Sequence, residues 1–188
     1  MHDIILGENE NEEGSHPVQI LSKDKFDLFI SFIIELQGLL FEDGKEEVVS
    51  CSKEIKEMFD DIAYFRSLDV YGVVLGVLND NNTVDINLTN KFVNTAGKLE
   101  VTFHKAIDSC DNVLEELRMI INNTGVSSIL TSGGFSDAFA GHKIIKEMIK
   151  IAGKNISIIV AGSITSENIL SLHELIEGKQ YHGKKIVD

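Results

Sequence analysis

YGVVLGVL (71–78) is an almost unbroken apolar run in which glycine is the only other residue type. A strand that is apolar on both faces has both faces covered, the condition of a strand inside a parallel sheet. It ends in Asn79, Asp80, Asn81 and Asn82, four turn-forming residues in a row. Downstream, LEVTFHKAID (99–108) repeats the plan: an apolar strand, then a histidine, a lysine and an aspartate.

Outward from these runs, strand and helix patterns alternate. Asp111 is placed to cap a helix striped by Val113, Leu114, Leu117, Ile120 and Ile121, and Gly125 ends it. SSILT (127–131), a helix bearing Ile144, Ile145, Met148 and Ile151, ISIIVA (156–161), a helix after Thr165 and a strand near 180–182 follow. Upstream, Ser52 opens a helix striped by Ile55, Met58, Phe59 and Ile62, and an apolar run covers 36–41. Before it, Phe26, Phe29, Ile30, Ile33 and Ile34 fall at helical spacing behind Ser22, and residues 4–6 form a weak first strand. With a short helix ending near Gly97, about seven strands interleaved with six helices predict parallel strands joined by right-handed crossovers, an α/β fold. A doubly wound sheet and a TIM-type (β/α) barrel both fit; polar groups at the ends of several strands favour the barrel. With one proline and no serine-rich linker, a single domain over 1–188 is expected.

Composition limits the function. A formal charge of −13 would repel nucleic acid over most of the surface. Cys51 and Cys110 form no CxxC pair and suggest no disulfide framework, which suits a reducing compartment. No run reaches the ~18 apolar residues of a spanning helix, and the start MHDIILGENENEEG lacks a basic leader, so a cytoplasmic location is expected.

The strand ends carry the candidate chemistry. His104 shares a face with Thr102, and could bind a metal or act as acid or base, with Lys105 or Asp108 in support. A rim histidine fixed by a neighbouring carbonyl fits as well. ILTSGG (129–134) ends in Thr131, Ser132, Gly133 and Gly134, whose hydroxyls and N–H groups could cradle a small anion, or simply make a tight turn. VAGSIT (160–165) offers Gly162 and Ser163 in the same way. His182 ends the last strand and could neighbour His104 on one rim, and Cys110 is a conceivable soft ligand for copper, though such a cysteine also serves as a small apolar residue. His16, His142 and His173 read as solvent-facing, and the acidic stretch 8–13 as a solvated loop.

VTFHKAID (101–108) resembles the T-F-H-R-A-F-D signature of the CutC copper-homeostasis family, with Lys105 for arginine and Ile107 for phenylalanine. GVVLGVLNDNNTVD (72–85) is similar to that family's G-x-V-x-G-x-L-x-x-D-G-x-x-D, and ILTSGGFSDAFAG (129–141) to its V-L-T-S-G-x-x-x-x-A-x-x-G. VAGSITSEN (160–168) resembles its glycine-rich seventh strand and the helix cap after it. Upstream of Gly72 the likeness thins: Ile5 stands where the family has glutamate, Gly7 where it often has cysteine, and both arginines of its third-strand loop are absent around Asp43 and Lys45. The resemblance implies a TIM barrel of which these are strands two to eight, lacking the first strand and helix.

Three roles follow as expectations. The first is a copper-homeostasis protein binding Cu(I) weakly, with His104, Cys110 and His182 as the candidate ligands. The second is a barrel enzyme or binding protein for a small phosphorylated or carboxylated molecule. The third is a non-catalytic scaffold whose open sheet edges favour a homo-oligomer.

Overall fold

The computed structural model describes residues 4–8, 18–20, 48–68, 70–183 and 186, with side chains from Ile55 onward. The apolar run at 36–41 and the helix from Phe26 lie outside these residues, as does His16. The described strands are β1 (Ile4–Glu8), β2 (Val18–Ile20), β3 (Gly72–Leu75), β4 (Glu100–Phe103), β5 (Ser128–Thr131), β6 (Ser157–Ala161) and β7 (Gln180–Gly183). The helices are α1 (Val48–Ser67), α2 (Ile86–Ala96), α3 (Val113–Asn123), α4 (Ala138–Ala152) and α5 (Ile169–Ile176), with a 3-10 turn at Lys105–Ser109. None is long and apolar enough to cross a membrane among the described residues.

One sheet runs β2-β1-β7-β6-β5-β4-β3. From β3 to β7 every pairing is parallel and the order never reverses. A doubly wound sheet would reverse its order and carry helices on both faces. Here Leu75, Phe103, Ile129 and Ile158 share one face by register and pack in the same core as Ile62 of α1, Phe92 of α2, Leu117 of α3, Ile145 of α4 and Leu172 of α5. All five helices therefore cover the same face, as around the wall of a (β/α) barrel. The opposite face carries a smaller apolar cluster of Leu130, Ile159 and Ala161.

Three expectations are corrected. β1 runs antiparallel to both β7 and β2, not parallel, with Ile5 opposite His182 and Gly7 opposite Gln19. A short hairpin-like pair needs no crossover helix, so the alternation rule does not govern it. The cap of α3 is Asn112, whose side chain accepts from Glu115 N–H at 3.2 Å, and not Asp111. The helix expected from Ser52 begins at Val48.

A buried carboxylate ties α3 to the loop after β3. Glu116 Oε2 accepts from Val84 N–H at 2.9 Å, the N–H that the turn at 79–82 leaves pointing inward. Glu116→Ala should cost about 1–3 kcal/mol, because that N–H then has no partner. An unchanged urea midpoint for this variant would refute the tie.

Candidate functional site

His104 lies one residue beyond β4, where its N–H still bonds Leu75 O at 2.9 Å before the chain turns into the 3-10 segment. It is 5% exposed. Its ring lies against Gly76, where a Cβ would stand 2.7 Å from both Cε1 and Nδ1, so only glycine leaves room for it. The turn brings Ala106 N–H onto His104 Nδ1 at 3.1 Å.

That bond selects the tautomer. Nδ1 accepts, so its lone pair is in use and the proton of the neutral ring sits on Nε2. Burial pushes the pKa from 6.5 down to about 4, so the ring is neutral near pH 7. Nε2 is buried and has no hydrogen-bond partner among the described residues. An unmet buried donor of this kind costs about 1–3 kcal/mol.

The other two residues of the signature work as a pair. Asp108 Oδ1 accepts from Thr131 Oγ1 at 2.5 Å and Gly134 N–H at 2.8 Å. Its Oδ2 accepts from Lys105 Nζ at 2.8 Å and Ser132 N–H at 2.9 Å, with Ser132 Oγ also 2.9 Å away. Lys105 Nζ in turn bonds Ser132 Oγ. Burial raises the carboxyl's pKa, but the Lys105 charge and hydrogen bond, the Thr131 hydroxyl and the Ser132 N–H outweigh it and hold the pKa below its ordinary 3.8.

This network occupies the expected anion cradle. Ser132 and Gly134 N–H bind the chain's own carboxylate, and Gly133 N–H is spent on Thr131 Oγ1 at 2.8 Å. The anion that the glycine loop after β5 recognises is Asp108. Gly162 and Ser163 both have positive φ, 110° and 58°. Their carbonyls accept from Ala138 N–H and Asn168 Nδ2, closing the β6–α5 loop against α4.

The candidate metal ligands do not assemble. His182 lies on β7, separated from β4 by β5 and β6, so it is not a rim neighbour of His104. Cys110 packs in the core with Val113, and burial together with the charges of Glu116, Asp108 and Asp111 pushes its thiol up to about 12. In the metal-free chain it is therefore a protonated thiol. His104 Nε2 carries a proton and offers no lone pair. The described residues contain no group of three histidine, cysteine or acidic side chains able to hold a metal.

Two contributors went unnamed among the candidates, Gly76 and Ala106. Their local signal was faint: Gly76 breaks an apolar strand, and a glycine there marks close approach of another group. His142 is half-buried, with Nδ1 2.6 Å from Phe139 O, so it is not simply solvent-facing.

Comparison with known proteins bears on the same segment. The model of the CutC family matches residues 44–187. The chain is 32% identical over 129 residues to the family protein CutC of Histophilus somni, covering 69% of this chain and 53% of that one. It is 40% identical over 117 residues to that of Citrobacter koseri, covering 62% and 46%. The chain thus spans about half the length of these relatives. The crystal structure of CutC from Streptococcus agalactiae superposes with a TM-score of 0.68 at 25% identity, covering 78% of this chain and 70% of that one.

Proposed function

Since this chain belongs to the CutC family, we propose that it acts in copper homeostasis while binding Cu(I) at most weakly through its own strand-end residues. Family membership supports the role. The observation that carries the second half is the state of the two best candidate ligands: His104 Nδ1 is capped by Ala106 N–H and Cys110 is a buried thiol. A soft monovalent ion needs thiolate or free imidazole donors, and neither is offered.

A titration of Cu(I) against a competing chelator tests the binding. Wild type and the His104→Ala, Cys110→Ser double variant should compete equally poorly; tight binding lost in the double variant would restore a metal site here. The role is tested separately by expressing the chain in a bacterium whose own CutC gene is deleted. Partial recovery of growth in copper is expected, and no recovery rejects the role. A phosphate-binding enzyme fits less well, because Asp108 already fills the glycine loop after β5.

A further inference from the structure

We propose that His104 Nε2–H is the recognition donor for a carbonyl oxygen of a small molecule bound against the helix-free face of the sheet, at the C-terminal end of β4. The inference goes beyond the copper reading and does not depend on it.

Three observations converge on this donor. The Ala106 N–H at 3.1 Å from Nδ1 leaves the proton on Nε2, and Nε2 is buried without a partner among the described residues. Buried donors are almost always satisfied, and those that are not mark places where an additional group belongs. The ring's alternatives are closed: a protonated Nε2 is neither a metal ligand nor a general base, and with its pKa near 4 the ring is not an imidazolium at neutral pH. What a neutral imidazole can do is donate, and at an enzyme site such a donor polarises a carbonyl.

The surroundings define the acceptor. Thr102, on the same face as His104, pairs its hydroxyl with Ser128 Oγ at 3.1 Å, so these polar atoms are already engaged. Leu130, Ile159 and Ala161 form an apolar patch on that face. The nearest cation in sequence, Lys105, is paired with Asp108, and the loop N–H groups that would hold a phosphate are taken. A neutral carbonyl compound matches one uncharged donor beside this apolar patch, whereas a phosphate dianion finds no uncommitted charge there among the described residues. The C-terminal end of a barrel-like sheet is also where such ligands bind.

The test uses the full-length, copper-free, ¹⁵N-labelled chain, with acetamide as the carbonyl probe and inorganic phosphate as the contrast. Long-range ¹H–¹⁵N correlation at neutral pH should place the His104 proton on Nε2, and acetamide should move that resonance saturably while phosphate leaves it in place. His104→Asn, whose Oδ1 can still cap Ala106 N–H, should fold and lose the stabilisation by acetamide seen in wild type. A proton on Nδ1, no saturable response to acetamide, or a response to phosphate alone overturns the proposal. The wild-type spectra decide the matter even if the variant fails to fold.

Discussion

Replacing Asp108 by alanine is expected to destabilise the chain by about 3 kcal/mol, since it strands buried donors that a charged acceptor now satisfies. For a chain of this size that is a fall in melting temperature of roughly 6–12 °C. The buried Thr131 Oγ1 and Ser132 N–H lose their acceptor together, while the exposed Gly134 N–H can turn to water. Lys105 contributes less: its side chain is 35% exposed, so water replaces the lost partner. Lys105→Met should therefore be clearly milder than Asp108→Ala. Asp108→Asn, although isosteric, should resemble the alanine variant, because an amide NH₂ would face the donors that now meet Oδ2.

The pH dependence separates Asp108 from His104. The Asp108 pKa is lower folded than unfolded, so its contribution is complete above the unfolded value of 3.8 and is lost as pH falls through the folded value. The His104 pKa is also depressed, and protonation of the unfolded chain erodes stability as pH falls from 6.5 to about 4. Melts across this range should show Asp108→Asn keeping the loss between 6.5 and 4 but missing the further loss in stronger acid. Parallel curves for the two proteins below 3.8 would remove Asp108 from its assigned place.

The same residues show how far the sequence can be read. The parallel strands were legible because burial on both faces writes itself as continuous apolar runs, and 71–78, 127–131 and 156–161 each hold a strand of the sheet. β2 was not, because Val18, Gln19 and Ile20 carry no pattern longer than their own three residues, and its pairing with β1 is decided elsewhere in the chain. The site was half legible. Residue types at the strand ends identified His104, Lys105, Asp108, Thr131 and Ser132, but not who binds whom. The glycine loop advertises free N–H groups whether its anion is a ligand or a carboxylate 24 residues upstream, and only the fold returns Asp108 to Ser132. The tautomer of His104 is likewise set by a backbone turn two residues on, invisible in the residue types. Cys110 could be a ligand or a core residue by sequence, and only the fold shows its side chain packed in the core with Val113.

Gly141→Ala sets local propensity against packing. Gly141 lies in the first turn of α4, where alanine would be favoured over glycine by about 1 kcal/mol in an isolated helix. In the folded chain a Cβ there would stand 1.8 Å from Ser132 O and 2.9 Å from Ser132 C, both backbone atoms of the loop after β5. No rotamer relieves that overlap, so either α4 or the loop must move, and the loop is fixed through Ser132 and Gly134 to Asp108. Overpacking of this kind costs about 1–3 kcal/mol and more where backbone meets backbone, so the clash outweighs the propensity gain. The expected result is a net loss of about 3 kcal/mol, with faster amide exchange at Ser132 and Gly134 as the loop leaves its carboxylate. Ala140, next along the helix but exposed, supplies the control: Ala140→Gly should lose only about 1 kcal/mol and leave exchange in the loop unchanged. If Gly141→Ala melts at or above the wild-type temperature, α4 is not seated on the β5 loop. The Asp108 network would then lack the support that holds its donors in place.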